Sequence, residues 1–400
     1  MARSPTDVAR KIFLIATEES GDRLGAGLMK VLRQRLGDAV AFEGVGGRAM
    51  AREGLSSLFP IEELSIMGLA AVVRQLPKLL RLIRRTAEAV TEASVDMLVI
   101  IDSPDFTHRV ARRVRGRDPS IPIVDYVSPT VWAWRPGRAR AMRGYVDHVL
   151  ALLPFEPEAY RRLNGPPCSY VGHPLIEQID RLRPNAEEQA RRGSAPPILL
   201  LLPGSRRSEI AHHLGVFGAA LDRLRSQGAA FEVMLPTMPH LEAAVLAGVA
   251  NWPVVPTIVV GETEKRAAFR IAHAALAKSG TVTLELALSG VPMVTAYRLG
   301  AAEAFVLRRA IKVNTVILAN LVLGKEVIPE FLQENCTPEK LAQALSELLA
   351  DSAMRRSQLE AFATLDAIMS SGNASPSVRA ADIVLAMMRK GRRAGRAADL

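Results

Sequence analysis

Cysteine is nearly missing from this sequence. Its two cysteines, Cys168 and Cys336, stand far apart without C-x-x-C spacing, which excludes a disulfide framework and a cysteine-built zinc site and fits a reducing compartment. Aromatic residues are also scarce, at 5%. No basic stretch is interleaved with stacking rings, which argues against a nucleic-acid partner. No window holds the ~18 uninterrupted apolar residues of a membrane span, and the opening MARSPTDVARK has no apolar signal core. The expected protein is neither exported nor threaded through a bilayer. Glycine (28 residues) and proline (25) stay near average usage, and no repeat or low-complexity tract interrupts the chain, so disorder and fibrous architecture are excluded as well.

What is present is apolar residues and positive charge. Of the 400 residues, 49% are hydrophobic, enough for two cores, and a chain this long exceeds what one core usually organises. The net charge of +10 calls for an anionic partner: nucleic acid, phospholipid head groups or a phosphorylated small substrate. Part of that excess sits in the tail MMRKGRRAGRAADL, where a solvated end accounts for it.

Short apolar runs alternate with helical patterns. KIFLIAT is followed by EESGDRLG and then AGLMKVLRQRL, and further runs stand at 97–101 and 121–127. A parallel strand buried on both faces needs a crossover helix, so this alternation predicts βαβ units. At 183–197 the texture changes to RPNAEEQARRGSAPP, which reads as a boundary. The alternation then restarts with candidate strands at 198–202, 231–235, 256–260, 274–277 and 291–297. The expected fold is α/β, with two doubly wound Rossmann-like domains and a ligand cleft beyond the carboxyl ends of their strands.

The loops at those strand ends hold the candidate chemistry. ATEESGD (16–22) brings Glu18 and Glu19, which would repel a pyrophosphate, so the loop suits hydroxyl groups; its plainer reading makes Ser20 or Asp22 a helix cap. MLVIIDSPDF (97–106) places Asp102 after a buried strand and Asp105 three residues on. Either is a candidate general base, and either could merely cap the next helix. Trp132 and Trp134 stand beside Arg135, Arg138, Arg140 and Arg143, a set that suits a sugar or phosphate site and equally suits interface packing. His173, a lone histidine before a proline, is ambiguous between a structural and a catalytic role, the structural one being the commoner.

Further along, ILLLLPGSRRSE (198–209) runs a buried strand into Pro-Gly-Ser and Arg206, and AKSGTVTLELA (277–287) runs another into Ser279, Gly280, Thr281 and a helix carrying Glu285. Together these offer two phosphate-sized positions and an acid for ribose hydroxyls, the pattern of a nucleoside diphosphate ligand. In LSIMGLAAVVRQLPKLLRLIRR (64–85), Met67, Val72, Val73, Leu76, Leu79, Leu80 and Ile83 can share one helical face flanked by Arg74, Lys78, Arg81, Arg84 and Arg85. Such a helix either closes a core or lies on an anionic membrane.

Ten collinear stretches resemble the lipid-A-disaccharide synthase family over nearly the whole chain: ESGD, GVGGRAM, ELSIMGL, IDSPDF, YVSPTVWAWR, LLPFEP, VGHPL, LLPGSR, SGTVTLE and PEFLQE. The resemblance implies a GT-B fold with the active-site cleft between its domains. It implies an inverting transfer from UDP-2,3-diacylglucosamine to 2,3-diacylglucosamine 1-phosphate (lipid X) that needs no metal and no cofactor. By motif, Asp102 matches the proposed base, Glu18 a required first-loop acid, Arg206 a residue associated with the diphosphate, Glu285 the ribose acid, and Asn320 an asparagine of the nucleotide side. The 67–83 helix matches the membrane-contacting segment, which implies a cytoplasmic enzyme peripheral to the inner membrane. Two positions depart from the family pattern, Thr17 for glycine and Ala319 for proline.

The domains expected are 1–183 for acceptor and membrane contact and 184–365 for UDP-sugar, with 366–400 as a helix crossing back to the first domain. A homodimer formed by exchange of that last region is left open. The competing readings are another GT-B enzyme such as a UDP-N-acetylglucosamine 2-epimerase, which would not need the basic amphipathic helix, and a non-catalytic module binding anionic lipid or nucleic acid. More distant is a pyridoxal-phosphate enzyme with Lys278 as its Schiff-base lysine.

Overall fold

A computed structural model describes residues 10–64, 69–299 and 315–398, with the side chains of 69–75 and 390–398 outside that description. The chain forms two compact units. One runs to His173 and resumes at Ser371; the other is Pro174–Ser370.

The first unit is built on a seven-stranded sheet of β1 (Arg10–Ala16), β2 (Val40–Val45), β3 (Ser56–Ser57), β4 (Met97–Ile101), β5 (Ile123–Tyr126), β6 (His148–Ala151) and β7 (Cys168–Tyr170). Their order is β3-β2-β1-β4-β5-β6-β7, and every pairing is parallel. β4 reads MLVII because all five residues are buried, as a central strand covered on both faces requires. Against one face pack the helices Leu69–Glu92 and Pro104–Arg117, through residues such as Ile83, Val90, Val110 and Val114. Against the other pack Glu19–Leu36 and the terminal helix Pro376–Ala398, through Leu28, Leu32, Ala380 and Val384. The terminal helix therefore completes the core of the first unit, which it rejoins after the whole of the second. Gly44 sits at φ +151°, where a Cβ would lie 1.8 Å from the Leu14 carbonyl oxygen, so only glycine lets β2 close on β1.

The second unit carries β8 (Ile198–Leu202), β9 (Glu232–Thr237), β10 (Thr257–Val260), β11 (Ala274–Lys278), β12 (Met293–Tyr297) and β13 (Glu330–Leu332) in the order β10-β9-β8-β11-β12-β13, again all parallel. The run ILLLL is apolar throughout because β8 is central and buried along its length.

Both boundaries fall elsewhere than composition suggests. The polar stretch 183–197 is not a linker: Asn185 and Glu188 form a capping box on the helix Ala186–Gly193. From that helix the buried Arg192 guanidinium donates to the carbonyls of Phe269, Arg270, Ser289 and Gly290, fixing the segment into the second unit. At the far end, Leu365 and Met369 are fully buried and Arg183 pairs with Asp366 at 2.6 Å, so the unit continues to Ser370 and not 365.

Candidate active site

In each doubly wound sheet the strand order reverses once, between β1 and β4 in the first unit and between β8 and β11 in the second. Loops diverge at such points and leave a crevice at the carboxyl ends of the strands. The candidate residues concentrate there.

In the first unit, Ala16 of β1 stands level with Ile101 of β4, so Glu18 and Asp102 emerge side by side. Asp102 and Ser103 both adopt left-handed backbone, at φ +53° and +46°. Such conformations cost on the order of 1–3 kcal/mol each for residues other than glycine, and they persist only where surrounding bonds enforce them. Here the Asp102 amide donates to the Tyr126 carbonyl of β5 at 3.0 Å, and Thr107 Oγ1 donates to the Asp102 carbonyl at 2.7 Å. Ser103 Oγ donates to Glu18 Oε1 at 3.2 Å, joining the two acids through one hydroxyl. Among the described residues no cation stands within ion-pair distance of Asp102 or Glu18.

Asp105 differs. It lies in water on the first turn of its helix, its side chain 86% exposed, 3.7 Å from Arg138. Geometry thus separates the two aspartates that spacing leaves equal.

Asp22 is a positioning residue that the sequence understated. Nearly fully buried, its carboxylate accepts from the amides of Gly47, Ala49 and Met50 at 2.7–3.1 Å. It therefore caps the helix Arg48–Arg52, not its own, and ties GVGGRAM to the first loop. Thr17 is buried with φ outside the left-handed region, so this backbone does not require the glycine usual in the family.

Two buried acids behind these loops escaped the sequence reading. Asp125 on β5 is buried completely, and that burial raises its pKa despite His108 Nε2 at 3.3 Å; His108 Nδ1 lies 3.0 Å from the Tyr145 hydroxyl. Burial likewise pushes Glu156 up to about 7, while it accepts from the Leu153 amide and from Trp132 Nε1. Trp132 is thereby a packing residue, set edge-on to Phe155 at 5.2 Å. Trp134 is exposed, with the Arg135 guanidinium 4.3 Å from its ring centre. Burial lowers His173 to about 4, so it stays neutral at physiological pH.

In the second unit, Leu202 of β8 stands opposite Ala277 of β11, which brings LLPGSR beside KSGT. A cavity of about 350 Å³ opens there, lined by Gly204, Arg206, Lys278, Gly280, Thr281 and Glu285 among others. Arg206, at the start of the helix Arg207–Ser226, is largely exposed, with its guanidinium 4.0 Å from Glu209 Oε1. Glu285 Oε2 meets Lys265 Nζ at 2.9 Å; burial opposes the lysine's charge, but Glu285 and Glu262 outweigh it and raise its pKa.

Two expected nucleotide residues lie outside that cavity's lining. Ser279 is buried and donates from Oγ to Glu330 Oε1 at 3.1 Å, orienting the turn and not facing the space. Asn320 is 2% exposed, with its Oδ1 accepting from the Val327 and Ile328 amides and its Nδ2 donating to the Ile328 carbonyl. A buried amide satisfied in this way holds the segment leading into β13. Its neighbour Ala319 is fully buried in the first turn of Leu318–Leu323, a position that admits alanine as well as proline.

The amphipathic segment divides along its length. Met67 lies outside the described residues, as do the side chains of Val72 and Val73. Ile83 is fully buried and Leu79 packs partly on the same core, whereas Leu76 and Leu80 point outward at 41% and 39% exposure. The stripe is therefore not one face: four residues apart, Leu76 and Leu80 form an outer row beside an inner one.

With this geometry in hand, comparison with known proteins decides the family. The lipid-A-disaccharide synthetase family matches residues 12–383 of this chain. The chain belongs to that family. A lipid-A-disaccharide synthase of Bradyrhizobium diazoefficiens is 79% identical over 387 residues, covering 97% of this chain and 99% of that protein. One from Rhodopseudomonas palustris strain BisB18 is 70% identical over 388 residues, covering 97% and 98%. Among solved structures, the UDP-GlcNAc 2-epimerase of Neisseria meningitidis bound to UDP-GlcNAc superimposes with a TM-score of 0.58 at 10% identity, covering 95% of this chain and all of that one. At such identity the likeness concerns the fold, two Rossmann-like domains of GT-B type. The family membership rests on the sequence relatives, and the epimerase alternative gains nothing from shared architecture.

Proposed function

We propose that this chain is a lipid-A-disaccharide synthase, an inverting hexosyltransferase that joins UDP-2,3-diacylglucosamine to 2,3-diacylglucosamine 1-phosphate through a β-1,6 bond and releases UDP. The observation that carries the reading is the near full-length identity to proteins of that name, and the strand-end geometry agrees with it.

Asp102 is the general base in this reading. Its carboxylate takes the proton of the acceptor's 6-hydroxyl as that oxygen attacks the anomeric carbon; the bond from that carbon to the diphosphate oxygen breaks, and its electron pair leaves with UDP. A single displacement inverts the centre. The base must be fixed and free of a neutralising cation: Asp102 is held by its backbone and by the Ser103 amide, which donates to its Oδ1, and no described cation pairs with it. Glu18, bonded to Ser103, sets the local geometry and offers an acceptor to the substrate's hydroxyls. On the donor side Arg206 offsets the charge that grows on the departing diphosphate, Gly280 and Thr281 border it, and Glu285 receives the ribose hydroxyls. Ser279 and Asn320 act one step removed, by holding the turn and the segment behind it.

The acyl chains of both substrates live in a membrane. No helix among the described residues is long and apolar enough to cross one. The outer row of Leu76 and Leu80, flanked by exposed Arg81, Arg84 and Arg85, suits contact with an anionic bilayer surface. The enzyme in this reading works at the cytoplasmic face of the inner membrane. The test is an assay in detergent micelles with both substrates, following UDP. UDP formed only when both are present supports the transferase; no UDP from folded protein that binds UDP rejects it.

A further inference from the structure

At the donor cavity, one carboxylate holds the groups that a diphosphate would need. Glu209 Oε2 accepts from the Ser205 amide of the LLPGSR loop at 2.9 Å, while its Oε1 meets Lys278 Nζ at 3.1 Å and lies 4.0 Å from Arg206. A loop amide, an arginine and a lysine from the neighbouring strand end converge on a side chain that is 11% exposed. Gly204 makes the arrangement possible: at φ +126°, a Cβ there would stand 2.5 Å from Glu209 Oε2.

Backbone amide, guanidinium and ammonium are also the donors that recognise phosphate oxygens. We propose that Lys278 is a diphosphate-binding residue of the donor site, and that Glu209 is an internal counter-anion which keeps Lys278, Arg206 and the Ser205 amide together until the diphosphate takes them over. This inference rests on the nucleotide reading of the same cavity.

A diphosphate carries more negative charge than one carboxylate and so wins the shared donors, yet Glu209 then stands beside it as a like charge and opposes its retention. The site exchanges anions, which suits an enzyme that must release UDP after each transfer. Were Glu209 only a brace for the loop, its loss would weaken nucleotide binding; as a competing anion, its neutralisation strengthens it.

The experiment is calorimetric titration of the full chain with UDP, and with uridine as the probe lacking phosphate, for wild type, E209Q and K278M. Glutamine retains an acceptor for the Ser205 amide while removing the charge. The expected result is UDP binding about tenfold tighter in E209Q and about tenfold weaker in K278M, roughly 1.4 kcal/mol each way, with uridine unchanged in both. E209Q that binds UDP no more tightly than wild type overturns the competing role of Glu209. Folded K278M with unaltered UDP affinity overturns the assignment of Lys278, and this arm stands even if E209Q does not fold. Wild type that takes up neither ligand overturns the nucleotide reading itself, an outcome distinct from the other two.

Discussion

Three acids at or behind the strand ends show three ways of keeping a carboxyl group. Asp102 in the first unit is held through its backbone and through its Oδ1, which accepts from the Ser103 amide at 2.7 Å, with no cation in ion-pair distance among the described residues. Glu209 in the second is ionised and occupied, its pKa lowered because Lys278, the Ser205 amide and Arg206 outweigh the opposing effect of burial. Glu156, behind the first site, is driven toward its neutral form by burial, against the hydrogen-bond donors around it. A base must be ionised and free, an anion cradle must be cationic without being bare, and a packing acid is best uncharged. In the proposed reading, the first unit serves proton removal and the second anion exchange.

That contrast can be tested where it should fail most visibly. D102N should lower transfer by roughly 10²–10⁴-fold while UDP affinity stays at the wild-type value; a parallel loss of UDP binding would dissolve the division of labour. R206A should act in the opposite pattern, weakening UDP by about tenfold or more with uridine unaffected, as read by titration. Replacing Leu76 and Leu80 together by glutamate should reduce sedimentation with anionic vesicles several-fold and leave binding of UDP intact. Retained vesicle binding would move the membrane contact elsewhere.

Glu156 supplies a pH test. Its folded pKa lies above its unfolded value, so the folded state holds the extra proton: the stabilisation is fully present below about pH 4.5 and is lost as pH rises toward and through 7. The melting temperature of wild type should therefore decline over that range more than that of E156Q, by the equivalent of up to roughly 3 kcal/mol. Equal slopes would mean that the acid is not held neutral. The smallest effect belongs to D105N, which should change transfer by less than about twofold because its carboxyl group lies in water; a large loss would transfer the role of base from Asp102.

Much of this protein is written locally. The strands β1, β4, β5, β8, β9, β11 and β12 are visible as apolar runs because interior parallel strands are buried on both faces, and β10, a partly exposed edge strand, because of its β-branched run TIVV. β2, β3, β6, β7 and β13 are not. They are short or carry polar residues: β3 has two residues, β7 reads CSY, and β2 contains Glu43 and Gly44. Their place in the sheets is fixed by partners distant in sequence. The same limit explains the boundaries, since the polar stretch 183–197 looks like a linker until Arg192 is seen to bind four carbonyls some 80–100 residues away.

The sequence by itself determined the α/β alternation, the family and the two strand-end motifs, because each depends on residues within about one turn or strand of one another. Apart from the resemblance it could not rank Asp102 against Asp105, nor Trp132 against Trp134 or the inner against the outer row of the amphipathic helix. Those choices turn on burial and on backbone conformation, which are set by what packs against each segment. Tertiary structure likewise decided that Asp22 caps a helix 26 residues onward, that Asn320 is spent on its own segment, and that Lys278 at the end of β11 meets Glu209 on the helix that follows β8. A side chain's type is local information, whereas the partner that fixes its charge and direction is not.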